Sequence, residues 1–298
     1  MARIIQCVPN FSEGRDKKII EQIVEEIRIV DDVKLLDYSM DKDHNRSVVT
    51  FIGEPEKVIL AAFNACKKAA ELIDMSTHAG EHPRMGATDV IPLIPISDIT
   101  MEDCIELSKE LGKKIGEELG ISVYLYEKSA MKLDRENLAN VRRGQYEGME
   151  EKMKQEEWTP DFGPIDLNKK SGVTAIGARM PLVAFNVNLG TNDINIAKNI
   201  AKSVRASGGG FMHCKGLGIE IKERNIVQVS MNMVDYTKTP LFRVFDVIER
   251  EARRYGVNVI GSEIIGLLPM AAMIDVADYY LRLENFDHDQ ILEKRMME

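Results

Sequence analysis

Two successive runs of strand, helix, strand, strand, helix, strand predict an α+β protein built from two ferredoxin-like (split βαβ) subdomains. Three observations carry this. Apolar segments of period two and of period 3.6 follow one another in that order in each half. Turn residues interrupt the chain near its middle, and 298 residues is about the size at which one core gives way to two. A boundary is expected near Gly177 to Pro181, and a cleft between two such subdomains is a favoured place for a ligand.

In the first half, Ile4 to Val8 reads as a strand, and Pro9-Asn10-Phe11-Ser12 as a turn into a helix whose apolar face is Ile19, Ile20, Ile23, Val24 and Ile27. Val33 to Tyr38 and Ser47 to Gly53 are strands, Pro55 opens a helix running towards Ile73, and Thr88 to Ile94 is a strand. Thr100 with Asp103 forms a capping box, Gly120 stops that helix, and Ser122 to Tyr126 adds a strand. A polar helical stretch from Asp134 to Gln155 leads to the turn-rich Trp158-Thr159-Pro160-Asp161-Phe162-Gly163-Pro164.

The second half repeats the order. Leu182 to Asn188 is a strand, and Thr191 caps a helix ended by Gly208-Gly209-Gly210. Gly218 to Lys222 pairs with Ile226 to Met233 across Glu223-Arg224-Asn225, and Pro240 opens the next helix. Val257 to Gly261 is the last strand and Leu267 to Leu283 a closing helix.

Composition narrows the function. The net charge of -9 and the lack of a basic tract argue against nucleic acid. No apolar run is long enough for a membrane helix, and the N-terminus lacks a secretory pattern, so a cytoplasmic protein is expected. The four cysteines are dispersed with no C-x-x-C pair, as expected of reduced, buried thiols.

The densest cluster of chemistry is Ser76-Thr77-His78-Ala79-Gly80-Glu81-His82-Pro83-Arg84-Met85-Gly86-Ala87-Thr88-Asp89, set against an apolar strand. His78 to His82 satisfies H-x-x-E-H, a zinc pattern that needs a helix, whereas Gly80 and Pro83 oppose one. A polar loop without chemistry and a general acid–base site are the other readings. For the last, His82 is the better histidine, because Pro83 and Arg84 pin it while His78 precedes Ala79-Gly80; Glu81, Arg84 and Asp89 could orient or tune the ring. Asn10, Asn45 and Arg46 stand at strand ends, where site residues collect. Gly177-Ala178-Arg179 and Lys215-Gly216-Leu217-Gly218 could admit a flat or anionic ligand, and Asn186 and Asn188 share one strand face.

Together Cys7-Val8-Pro9-Asn10-Phe11-Ser12-Glu13-Gly14, Gly80 through Ala87, Glu157 through Pro164, Gly177-Ala178-Arg179, Ala184-Phe185-Asn186 and Gly261 through Leu267 resemble the glutamate formiminotransferase family over essentially the whole chain. The resemblance implies two ferredoxin-like subdomains, 1–178 with the catalytic loop and 179–298 with folate contacts, and a ligand cleft between them. It implies transfer of a formimino group from N-formimino-L-glutamate to tetrahydrofolate, in histidine degradation, with no metal and with His82 as the acid–base residue.

Folate contacts carried over by position fall on Gly177, Ala178, Arg179, Met180, Pro181, Leu182, Val183, Ala184, Phe185 and Asn186, and a second group on Phe211, Met212, His213 and Lys215. Vertebrate members carry an acidic residue where this chain has Ser39, so a carboxylate supporting His82 is expected from Asp41, Asp43 or Asp89. The resemblance also implies a homodimer and a separate formiminotetrahydrofolate cyclodeaminase as pathway partner. Formyl transfer at the same site, and a folate-binding protein without turnover, are the rival functions.

Overall fold

The computed structural model of the protein describes residues 2–80 and 83–297. It divides into two compact units, Met1–Arg179 and Met180–Glu298. The α+β class holds, and each unit carries the expected element order.

In the first unit β1 (Ile4–Cys7) and β2 (Asn10–Phe11) are two pieces of one line, interrupted at Val8-Pro9. Helix α1 (Lys17–Arg28) starts at Asp16, whose side chain accepts from the Lys18 N–H, and it buries Ile20, Ile23, Val24 and Ile27. There follow β3 (Val33–Asp41), β4 (Arg46–Gly53), α2 (Pro55–Leu72) and β5 (Thr88–Ser97). Helix α3 (Met101–Leu119) has the Thr100–Asp103 capping box and ends on Gly120 in the left-handed region at φ +61°. Strand β5 lies beside β1, β1 beside β4 and β4 beside β3, all antiparallel, which is the split βαβ order.

This sheet then grows beyond the expected unit. Strand β6 (Ser122–Leu125) does not join β5 directly; a strand not anticipated from the sequence lies between them. The polar stretch before it is no single helix but α4 (Leu138–Val141) and α5 (Gln145–Met153), separated at Gly144 and Gln145, both at positive φ. After it comes the unanticipated strand β7 (Val173–Ala178), parallel to both β5 and β6. Its residues are buried on both faces, so no alternation marks it in the sequence.

The insertion between β6 and β7 is organised by Arg135, which is 0% exposed. Its Nη1 donates to Asp161 Oδ1 at 2.7 Å, and its Nη2 to the carbonyls of Glu157 at 2.6 Å and Thr159 at 2.7 Å. The second Asp161 oxygen accepts the Leu125 N–H at 2.7 Å, which ties the Trp158–Pro164 turn to β6. Lys152 donates to the carbonyls of Asn140, Val141 and Arg143, and its ammonium lies 3.7 Å from the centre of the Trp158 ring. Burial, then the charges of Arg143 and Arg135, bring the Lys152 pKa down to about 8.

The second unit consists of β8 (Val183–Leu189), α6 (Ile194–Val204), β9 (Cys214–Ile221), β10 (Ile226–Met233), α7 (Leu241–Arg254), β11 (Val259–Ile265), α8 (Met270–Leu281) and the short α9 (Leu292–Met297). Its sheet order, β11-β8-β10-β9, is again the split βαβ arrangement. The N-cap of α6 is Asp193, not Thr191; its side chain accepts from Asn195 N–H while Thr191 Oγ1 accepts from Asp193 N–H. Strand β9 begins before Gly218, where a Cβ would stand 2.4 Å from Lys198 N, so this glycine lets α6 press on the strand. Val183, Phe185, Val187, Ile200, Val204, Val244 and Ile248 build the core under this sheet. Among the described residues no helix is long and apolar enough to cross a membrane.

Arg135→Met should cost about 3 kcal/mol, because it strands the buried Asp161 carboxylate without its partner. Thermal or urea unfolding of the variant against the parent measures this.

Candidate functional site

The residues expected in the catalytic segment come together in the first unit, around the turn from β3 to β4 and the approach to β5. Ser12, His44, Asn45, Arg46, Arg84 and Asp89 line one small recess. Glu81 and His82 lie outside the described residues, between Gly80 and Pro83 that flank them.

Asn45 is the organiser of one wall. It sits at φ +48°, a conformation that asparagine tolerates better than most residues, and is buried. Its Oδ1 accepts the Gly14 N–H at 3.0 Å, and its Nδ2 donates to the Ala79 carbonyl at 2.9 Å. Gly80 passes so near that a Cβ would be 2.5 Å from the His44 carbonyl oxygen. His44 itself is exposed, with its Nδ1 2.8 Å from Asp41 Oδ2. Burial works against the Asp41 charge, yet hydrogen bonds from the His44 backbone and ring hold its carboxyl below the usual range.

Arg84 is buried and has each of its five N–H donors on a protein acceptor. Nε donates to His78 Nδ1 at 3.2 Å and Nη2 to the His78 carbonyl at 3.2 Å. Nη1 reaches Gln145 Oε1 at 3.1 Å and Glu147 Oε2 at 2.9 Å, and Nη2 completes a forked pair with Glu147 Oε1 at 2.5 Å. The Arg84 hydrogen bond holds the Glu147 carboxyl below its ordinary pKa. Since an arginine only donates, His78 Nδ1 carries no proton, and Nε2–H donates to the Asn45 carbonyl at 3.1 Å. Both ring nitrogens of His78 are therefore engaged, which removes this ring as a ligand of the H-x-x-E-H type.

Asp89, at the start of β5, is 1% exposed. Its Oδ1 accepts the Met85 N–H at 2.9 Å and its Oδ2 pairs with Arg142 from the end of α4. Arg46 shares this neighbourhood: burial, and then the charge of Arg142, pull its pKa down, against the attraction of Asp89 and Asp41. Asn10 turns its amide back to the Val8 carbonyl at 3.0 Å, and Ser12 Oγ donates to the Gly86 carbonyl at 2.8 Å.

The expected folate segment runs from the end of the first unit into the second. Gly177 and Ala178 end β7, where a Cβ on Gly177 would meet the Tyr126 carbonyl at 2.3 Å, so close packing of the backbone accounts for this glycine. The Arg179 N–H donates to the Leu93 carbonyl at 3.0 Å, and its side chain hydrogen-bonds Tyr126. Within the second unit, Val183 and Cys214 both register with Met233, so residues 180–183 and 211–214 lie at one end of the sheet. The two expected groups, Met180 to Asn186 and Phe211 to Lys215, thus start at the same end of the sheet, on the strands either side of β10. Asn188 is 3% exposed; it donates to Glu263 Oε1 at 2.9 Å and accepts from Gln228 Nε2 at 2.8 Å.

The sequence reading missed Arg142, Gln145, Glu147, Gln228 and Glu263. The first three lie in the stretch taken for a continuous polar helix, whose only local warning was Gly144. Gln228 and Glu263 lie opposite Asn188 and Asn186 in the register, a signal that needs the strand pairing first.

The family described as the formiminotransferase domain, N-terminal subdomain, matches residues 4–179, and the formiminotransferase domain matches residues 184–296. A glutamate formimidoyltransferase of Streptococcus pyogenes serotype M1 is 55% identical over the whole of both chains. One of Thermoplasma acidophilum is 50% identical, covering 98% of this chain and 97% of its own. A formimidoyltransferase-cyclodeaminase of Mus musculus is 42% identical, covering 94% of this chain and 53% of its own. With both halves matched in order and relatives at this identity over full length, the chain belongs to the formiminotransferase family.

Proposed function

We propose that the protein transfers the formimino group from N-formimino-L-glutamate to N5 of tetrahydrofolate, giving 5-formiminotetrahydrofolate and L-glutamate. The observation that carries this reading is the full-length match to two glutamate formimidoyltransferases. Tetrahydrofolate is a co-substrate, and the reaction needs no metal.

In the chemical step N5 attacks the formimino carbon, whose double bond to nitrogen opens to a tetrahedral intermediate. The N5 proton leaves and a proton reaches the glutamate nitrogen as the carbon–nitrogen bond to glutamate breaks. His82 is the residue we assign to both transfers, since imidazole titrates near neutrality and one group can serve as base and then acid. Asp89 is the carboxylate of choice for the support expected near it. It is buried, holds the Met85 N–H in the same segment and is itself held by Arg142, so its support runs through the backbone, whereas Asp41 and Asp43 are exposed.

Arg46, Arg179 and Lys215 are assigned to the carboxylates of the two substrates. Arg84 is set aside from that role because its donors are already engaged. The folate contacts are assigned to Arg179, Met180, Pro181, Leu182, Ala184 and Asn186, the members of the expected stretch that stand outside the cores, and to Phe211, Met212, His213 and Lys215, whereas Gly177, Ala178, Val183 and Phe185 are buried in their sheets. The catalytic loop is assigned to the first unit. Asn10 and Asn45 support the loop through the backbone rather than by touching substrate.

A homodimer in the cytoplasm is the state we propose. Its support is the apolar face on α8, where Met270, Met273, Tyr280 and Leu281 are exposed. A formiminotetrahydrofolate cyclodeaminase is the pathway partner, in keeping with relatives whose names join the two activities.

Purified protein given tetrahydrofolate and either N-formimino- or N-formyl-glutamate should release glutamate with the formimino donor. Product from the formyl donor alone would turn the assignment to formyl transfer, and tight folate binding without product would make it a binding protein. His82→Ala should lower kcat by roughly 10² to 10⁴ with folate affinity kept. A loss below about tenfold would remove His82 from the chemistry. Asp89→Asn should destabilise the first unit by about 3 kcal/mol, seen as an earlier urea transition, because Arg142 and Arg46 then face each other without the intervening carboxylate.

A further inference from the structure

The described residues on the two sides of Glu81 and His82 are tied to one another by one side chain. Arg84, at one end of the segment, bonds both the ring and the carbonyl of His78 at the other. Each end is also tied outward. The His78 ring and the Ala79 carbonyl are held by Asn45, and Arg84 is forked onto Glu147 and bonded to Gln145 of α5. The next residue, Met85, is fixed by Asp89 through its N–H. No other side chain in the described part of this segment makes bonds to both ends.

We infer that Arg84, His78 and Glu147 are positioning residues for the transfer reaction: a neutral His78 and a fully bonded Arg84 hold the two ends of the loop that carries His82 at a fixed separation. This rests on the assignment of His82 above; it turns the expectation that Arg84 orients the ring into a defined set of bonds and adds His78 and Glu147, to which no role in the reaction has been attached. Positioning of this kind acts on rate more than on binding, since small displacements of a proton-transfer group are costly while the folate contacts lie on other elements.

The arrangement has a built-in proton dependence. Protonating His78 places a hydrogen on Nδ1 against the Nε–H of Arg84, and the bond becomes a clash of two donors. The charged groups that face this ring are Arg84 on its own segment, Glu147 on α5, and Glu13 and Arg15 on the link between β2 and α1. Burial comes first, and with the charges of Arg84 and Arg15 it outweighs the bond to the Asn45 carbonyl and the Glu13 carboxylate, so the ring is held below its ordinary 6.5. With the folded value lowered, the closed loop is at full strength above pH 6.5 and is lost as pH falls through the lower folded value.

The test uses the full-length protein. His78→Asn keeps an acceptor where Nδ1 stood but cannot titrate; Glu147→Gln removes the charge from the fork on Arg84. Wild type should lose kcat/KM at acid pH with a limiting slope of two protons, one for His82 and one for His78, and His78→Asn with a slope of one. Glu147→Gln should lower kcat about tenfold with the KM for tetrahydrofolate within twofold and the melting temperature little changed. Equal slopes in wild type and His78→Asn, or an unchanged kcat in Glu147→Gln, would overturn the inference.

Nitrogen NMR of the imidazole separates this from the assignment of His82, because it reads the ring without turnover. A proton on Nε2 only at pH 7, in both wild type and His82→Ala, supports the closed loop even if His82→Ala stays active. A proton on Nδ1 at that pH excludes the closed loop whatever the activity.

Discussion

The guanidinium of Arg135 lies wholly out of water, and a charge in that position is tolerable only when a well-placed partner and acceptors meet most of its donors; here Nη1 and Nη2 are bonded and Nε is left without a partner. Meeting that requirement shapes everything between β6 and β7. The Trp158–Pro164 turn wraps the guanidinium with two carbonyls and the Asp161 carboxylate, and the same carboxylate anchors the turn to the Leu125 backbone. Tyr124 and Trp158 lie within 5.0 and 5.7 Å of the cation, and the Lys152 ammonium lies 3.7 Å from the centre of the same indole. Lys152 in turn collects the carbonyls at the end of α4, the turn from which Arg142 reaches Asp89. A short chain of ring contacts and hydrogen bonds therefore connects this ion pair to the candidate site.

The same four-strand order serves two purposes in the two units. In the first, the edge strand β5 is covered by β7 and β6, so the strand that leaves the catalytic segment runs through the middle of a sheet. Its fixed position is what allows Asp89, at its first turn of register, to hold the loop before it. In the second unit the corresponding strand, β11, is an edge, irregular between Val259 and Gly261 and carrying Glu263 beside Asn186. Irregularity and charge are common ways of keeping an edge from pairing with another chain.

Much of this architecture was legible in the residues. Amphipathic periodicity marked α1 through Ile20, Ile23, Val24 and Ile27, and side-chain chemistry marked both ends of α3. Strand β7 escaped because Val173 to Ala178 is buried on both faces and small in side chain, so neither alternation nor bulk sets it apart. At α6 two cap-forming residues stood close together, and the geometry favoured Asp193 over Thr191. The candidate site was legible as a segment but not as a set of partners. Arg84 looked like a group that orients the His82 ring, and only the fold brings Glu147, distant in sequence, onto its fork. Contacts between a loop and a remote insertion leave no periodic trace, so no pattern in the chain announces them.

The indole of Trp158 is the chain's one tryptophan, and it stands between the ammonium of Lys152 and the guanidinium of Arg135. Two fixed cations beside the indole impose an electric field on its excited state and so shift its emission, and their departure removes that shift. The protein thus carries an intrinsic optical reporter confined to the insertion, through which the loosening of that region can be followed apart from the unfolding of either sheet.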